Sequence, residues 1–107
     1  MSPASRSHKT VFKVLDVLDA PHGGRLLKLR LQSGETPTIR ELRGARMRAQ
    51  SPDGETTCAC AIESFALFGG RSPDERLART GRVDVVIASG EEEDQIGLTW
   101  HLSGPVS

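Results

Sequence analysis

The sequence is poor in aromatic residues and has no excess of charge of either sign. It has no tyrosine, and its three phenylalanines and one tryptophan are Phe12, Phe65, Phe68 and Trp100. A surface that stacks single-stranded nucleic acid exposes several rings, so we expect these four to lie in the core. Fourteen basic residues balance fourteen acidic ones, so no global field attracts nucleic acid or an acidic membrane. Any such attraction must come from a local cluster.

Long apolar runs are also missing. The first ten residues contain none, so we expect neither a signal peptide nor a membrane anchor, and we predict a cytoplasmic protein without a membrane partner. The 107 residues are enough for one domain. We predict a single domain over residues 10–103, with polar tails over 1–9 and 104–107.

Cysteine is scarce, with Cys58 and Cys60 one residue apart on a predicted strand. Side chains at this spacing project from the same face, and a disulfide between them would close almost no loop, so we expect reduced thiols. A zinc site needs four ligands, and the chain adds only His8, His22 and His101 in separate segments. We interpret the two cysteines as small buried residues and predict no metal or other cofactor.

The sequence contains no recognisable catalytic arrangement. Ser64 and Ser89 do not lie in a nucleophile elbow, and no serine, histidine and acidic residue are spaced like a triad. Asp84 lies within an apolar strand pattern, and its place in the alternation predicts an outward-facing carboxylate. We therefore predict that the protein is not an enzyme.

Alternating apolar and polar residues predict a series of short strands. They cover residues 11–18, 25–32, 44–51, 55–68, 82–89 and 95–102. The apolar phase shifts near 63–65, which indicates a bulge or two strands in sequence. Pro37 limits 36–42 to a short edge segment at most, and the turn 51–54 fits type I.

One helical segment is predicted between these strands. Ser72 is a suitable N-cap, Pro73 and Glu75 suit the first and third helical positions, and Gly81 ends the helix after one or two turns. Six or seven short strands with one helical turn predict a mainly β fold, as a closed or partly open barrel or a sandwich. A barrel is the simpler solution, because closure removes exposed strand edges.

Six basic residues form the predicted partner-binding surface: Lys28, Arg30, Arg40, Arg43, Arg46 and Arg48. Arg46 and Arg48 share one exposed strand face, and we expect Lys28 and Arg30 on a paired strand beside them. Such a surface suits RNA phosphates or an acidic protein, and the alternative is an ordinary solvated strand face. The acidic run 91–94 is interpreted as a solubilising hairpin tip, which could also attract the arginines of a second copy.

Three segments carry a resemblance to a known family: the strand bounded by Gly24 and Gly34, the segment Ala61-Ile62-Glu63-Ser64-Phe65, and the helical turn leading through 80–86. In this order they resemble the second domain of translational GTPases, the elongation-factor-Tu-type β-barrel, over about 11–104. Arg82 departs from the acidic or polar residue usual after the glycine. No Gly-x-x-x-x-Gly-Lys-Ser/Thr loop is present, so nucleotide binding is not implied.

In that family the barrel contacts ribosomal RNA, aminoacyl-tRNA or neighbouring domains. The resemblance therefore implies a non-enzymatic binding module that engages a protein or structured RNA through its arginine-rich face. Two alternatives stay open at this level. One is a self-associating structural protein, and the other is a thiol redox or metal protein that uses Cys58 and Cys60.

Overall fold

Six antiparallel strands close into a barrel. The computed structural model describes residues 10–20, 23–66, 73–88, 90 and 93–104. The strands are β1 Thr10–Asp19, β2 Arg25–Ser33, β3 Arg46–Gln50, β4 Thr57–Phe65, β5 Arg82–Ile87 and β6 His101–Gly104. Their order around the barrel is β1-β2-β5-β4-β3-β6, and β6 pairs back with β1. The predicted mainly β fold is confirmed as a closed barrel.

The core is built from the inward side of each alternating strand. Leu27 and Leu29 on β2 face Val83 and Val85 across the same inner wall, and all four are buried. Each leucine of this kind contributes about 1.5–3 kcal/mol through burial. Phe12 and Trp100 are buried as predicted, while Phe65 is only half-buried against the core. Phe12 and Trp100 are therefore core side chains rather than stacking surfaces.

Some predictions fall on residues that the structure does not describe. These are His8, His22, Phe68, Ser72, Ser89, Glu91, Glu92 and the tails 1–9 and 105–107. The predicted bulge in β4 is confirmed, since its pairing with β5 shifts between Ile62 and Ser64. A second shift in β1, between Val14 and Asp16, leaves the successive residues Leu15 and Asp16 both exposed.

A first short helix was not predicted. The segment 36–42 was expected to be an edge strand at most, but Ile39–Leu42 forms helix α1. The Thr38 hydroxyl accepts from the Glu41 backbone N–H at 3.1 Å, and the Glu41 carboxylate accepts from the Thr38 N–H at 2.8 Å. This reciprocal capping box holds the turn while Ile39 and Leu42 enter the core. The Thr-x-x-Glu pattern of Thr38 and Glu41 was the sequence signal for the start of this helix.

The second helix, α2, spans Pro73–Thr80 and confirms the predicted helical turns. It ends at Gly81, whose φ of 74° suits glycine and whose N–H donates to the Leu77 carbonyl at 2.8 Å. The Asp74 carboxylate accepts from the Ile39 backbone N–H at 2.7 Å, which joins the two helices. No helix in the described part of the chain has the length and apolar character needed to cross a membrane.

The predicted strand 95–102 is wrong over its first part. Glu93–Gln95 form a single 3-10 turn, Leu98 is 58% exposed, and the strand begins only at His101. The strands on either side of this segment do not form a hairpin, because β5 pairs with β2 and β4 whereas β6 pairs with β1 and β3. Of the acidic run 91–94, Glu91 and Glu92 lie outside the described residues.

Candidate functional site

Four of the six predicted binding residues lie on α1 and on β3, the strand that follows it, and we call them the arginine face: Arg40, Arg43, Arg46 and Arg48. Arg40 lies on α1, Arg43 is the C-terminal cap of that helix, and the other two lie on β3. All four side chains are exposed. On β3 the alternate residues Met47 and Ala49 are fully buried, so packing of the inner wall holds Arg46 and Arg48 on the outside.

Small residues flank the two strand arginines. Arg46 is in register with Ala61 and Arg48 with Ala59 on β4, while Ser103 of β6 lies opposite Arg48 on the other side. Opposite residues in antiparallel strands have Cβ atoms about 4.5–5.5 Å apart, so their sizes decide how much of each side chain is covered. Two methyl groups and a hydroxymethyl group leave both guanidinium groups accessible.

Arg43 is held by an aromatic ring. Its guanidinium carbon lies 5.3 Å from the centroid of the Phe65 ring at the end of β4. This cation–π contact contributes about 0.5–1 kcal/mol at an exposed site. It ties the end of α1 to β4 and leaves the charge of Arg43 unneutralised.

Lys28 and Arg30 do not join the arginine face, which corrects the prediction of a shared surface. They lie on β2, which pairs with β1 and β5, whereas β3 pairs with β4 and β6. Three strand steps separate β2 from β3 in either direction around the barrel. The prediction placed Lys28 and Arg30 on a strand paired with that of Arg46 and Arg48, but the barrel pairs β2 and β3 with other strands.

Lys28 belongs to a row of mixed charge. It is in register with Asp16 on β1 and with Asp84 on β5, and we call these three residues the mixed row. Asp84 alternates with inward valines as predicted, but its carboxylate does not face solvent. It is only 3% exposed, and Arg76 of α2 donates to it at 3.1 Å. Each charge of the mixed row therefore has an opposite charge beside it.

Arg30 belongs to a row of like charge that was not predicted. It is in register with Lys13 on β1 and with Arg82 on β5, and Lys13 is in register with His101 on β6. We call Lys13, Arg30 and Arg82 the cationic row, and His101 continues its line on β6. Among the described residues, no carboxylate forms an ion pair with Lys13, Arg30 or Arg82. Only the strand pairing brings these residues together, so no local sequence signal marks the row.

The two cysteines lie on the inner side of β4, as predicted. Cys58 is 8% exposed and Cys60 is 3% exposed, and neither is in a disulfide. Burial, with smaller contributions from Cys58 and Glu93, raises the pKa of the Cys60 thiol to about 12. At neutral pH that thiol stays protonated, whereas metal binding and nucleophilic attack need the thiolate. The described residues include no group of three or more side chains placed to hold a metal ion.

Known proteins provide no relative for this chain: no family model, no curated protein and no solved structure matches it. The resemblance to the second domain of translational GTPases rests on the three sequence segments given above and stays a prediction. A small closed barrel is the architecture which that resemblance implies, but unrelated functions use barrels of this size.

Proposed function

We propose that the protein is a non-enzymatic, cytoplasmic binding module that engages structured RNA through its arginine face. The observation that carries the proposal is the position of Arg46 and Arg48, which lie exposed side by side on β3 opposite alanines. Arg43 extends the surface from the cap of α1. Because the net charge of the chain is zero, attraction to a polyanion has to come from a local surface of this kind.

Arginine suits this ligand better than other cations do. Its planar guanidinium group presents parallel N–H donors that match two phosphate oxygens, and it is hydrated more weakly than an ammonium group. Most contacts to structured RNA go to phosphates and ribose rather than to bases, so a surface without exposed stacking rings is adequate. The resemblance to a translation-factor accessory barrel favours RNA for the same surface.

The interior polar groups support a binding role rather than catalysis. The raised pKa of Cys60 keeps this thiol protonated near neutral pH, which is the unreactive form. The Asp84 carboxylate is held by Arg76, so it stabilises the contact between α2 and β5. Both groups therefore support a structural interpretation, and the proposal places the function on the outer surface.

Fluorescence anisotropy with a labelled RNA hairpin tests the proposal. Replacing Arg43, Arg46 and Arg48 together by Gln should weaken binding at least about tenfold at about 0.1 M salt and reduce the salt dependence by about one counterion per arginine. The matched control replaces the same three residues by Lys, which keeps the charge. We expect the control to retain most of the salt dependence and to lose affinity only where the guanidinium fork binds two oxygens.

Two outcomes would redirect the proposal. If the Gln variant binds the hairpin as the wild type does, the arginine face is not the RNA surface. If the wild type does not bind the hairpin but binds polyglutamate through the same arginines, the partner is an acidic protein. Sedimentation of the free protein at low and high salt tests the self-associating alternative, which predicts salt-sensitive oligomers.

A further inference from the structure

We infer that the cationic row is a second binding site, separate from the arginine face, and that its ligand is the phosphodiester backbone of a nucleic acid. The inference goes beyond the proposed function and does not depend on it, because the residues differ. It rests on the placement of Lys13, Arg30 and Arg82 in direct register on three neighbouring strands.

The row runs around the outer wall of the barrel, across neighbouring strands. Arg30 and Arg82 are exposed, Lys13 and His101 are half-buried, and each is directly opposite the next. Neighbouring strands lie about 4.8 Å apart, so Lys13 and Arg82 are about 10 Å apart along the line. The long side chains can adjust further, which lets three cations reach three anions at once.

Like charges directly opposite one another on a sheet destabilise it, so the row needs an explanation. Lys28 is the natural comparison, because it lies on the same outer face of β2 with Asp16 and Asp84 beside it. An acidic residue at either end of the cationic row would remove the repulsion in the same way. The row instead holds cations only, which is the arrangement that an anionic ligand neutralises.

The geometry favours a nucleic acid over a single phosphate group. Duplex nucleic acid carries one charge per about 1.7 Å of its axis with both strands counted, so a length of about 10 Å carries about six phosphates. Some of these face away from any one protein surface, but the remainder form a repeating series of anions, which suits several cations better than one anion does. A lone phosphate would satisfy one or two cations and leave the third repelled.

The row also approaches the arginine face. His101 is in register with Gln50 at the end of β3, and Arg48 lies two residues earlier on that strand. The row and the arginine face therefore border each other at β6, whereas Arg82 lies on β5, on the opposite side of the barrel from β6. The two surfaces share no residue, so each is removed by its own substitutions.

Binding of a labelled RNA duplex of about 16 base pairs, as one double-stranded RNA-binding domain spans, tests the inference across a salt series. We compare the triple variant Lys13→Gln/Arg30→Gln/Arg82→Gln with the triple Gln variant of the arginine face, which removes equal charge. A single pair sharpens the comparison: Arg82→Gln lies in the row, and Arg79→Gln removes an exposed arginine of α2 outside it. Thermal unfolding of each variant confirms the fold.

We expect the row variant to lose at least about tenfold in affinity and to lower the salt slope by about two to three. Arg82→Gln should weaken binding several-fold, with Arg79→Gln unchanged. Unchanged binding by a folded row variant overturns the inference while leaving the arginine face intact. Loss of binding in the arginine-face variant alone also overturns the inference. If row variants lose binding to polyglutamate but not to RNA, the ligand is an acidic protein and the assignment is wrong.

Tripolyphosphate, added as a competitor, separates a compact phosphate ligand from a backbone. We expect it to displace the duplex only at concentrations far above those of competing unlabelled duplex. Equal competition per molecule would show that the row selects a small polyphosphate, which would overturn the nucleic-acid assignment.

Discussion

Two residues on the outside of β2 have opposite surroundings. Lys28 has Asp16 and Asp84 beside it in the mixed row, whereas Arg30, two residues further along the same face, has Lys13 and Arg82 beside it in the cationic row. The chain segment, the face and the sign of charge are the same. Only the neighbouring strands differ, so strand pairing decides whether a cation is neutralised by the fold.

The contrast separates charges that the fold neutralises from charges that can bind a ligand. The mixed row includes the buried Asp84, and it stabilises the barrel through opposite charges on adjacent strands. The cationic row opposes the closure of β1, β2 and β5 by repulsion. Four measurements of stability test this difference between the two rows.

Removing the guanidinium that holds the mixed row should have the largest effect. We expect Arg76→Ala to lower the free energy of unfolding by about 2 kcal/mol, because the buried Asp84 carboxylate loses its donor. The effect is below that of a fully buried pair because Arg76 is itself 36% exposed. Urea denaturation measures it, with Arg79→Ala on the same helix as the control. Equal effects of the two substitutions would contradict a structural role for the pair.

Reversing the central charge of the mixed row comes next. Lys28→Glu would place three carboxyl groups side by side, so we expect a loss of about 1.5 kcal/mol in unfolding free energy. Lys28→Gln, which removes attraction without adding repulsion, should cost about half as much. Urea denaturation of both variants decides the point, and a Glu variant no less stable than the Gln variant would refute the electrostatic account.

Reversing the central charge of the cationic row should raise the free energy of unfolding instead of lowering it. Arg30→Glu converts two repulsions into two attractions, so we expect a gain of about 1 kcal/mol in unfolding free energy. Arg30→Gln should give about half of that gain by removing repulsion alone. Chemical denaturation is again the measurement. A loss of stability in both variants would show that Arg30 has a structural role and that the two rows do not differ as argued.

A change in salt concentration should have the smallest effect on the free energy of unfolding. Raising ionic strength to about 1 M shortens the screening length to about 3 Å and weakens repulsion within the cationic row. We expect the wild type to gain a few tenths of a kcal/mol relative to Arg30→Gln under this change. The difference between the two proteins is the quantity to measure, since salt affects both barrels in other ways. No difference would mean that repulsion in the row is already negligible.

Local patterns were sufficient for much of the fold. Alternation located β2 and β5, and the helix-start and helix-stop residues located α2. Helix α1 was not predicted although Thr38 and Glu41 form a capping box, because Pro37 favours a short edge segment. The strand 95–102 failed for a different reason: its apolar spacing matches a strand, but the segment joins β5 to β6, which are not neighbours.

The candidate surfaces were also predictable from the sequence only in part. Arg46 and Arg48 lie two residues apart on β3, so their shared exposed face was predictable from local alternation. Lys28 and Arg30 were assigned to that surface by an assumed pairing, which the barrel order contradicts. Asp84 was placed on the correct side of its strand, yet its burial depends on Arg76 of a helix that packs over it.

What the amino-acid sequence determined by itself is the side of each strand on which a residue lies, because alternation needs only the residue and its immediate neighbours. Which residues meet across strands was decided by the closed barrel, where backbone hydrogen bonds join segments far apart in the chain. Lys13, Arg30 and Arg82 are unremarkable in their own strands. They become a row only when β1, β2 and β5 pair in one register.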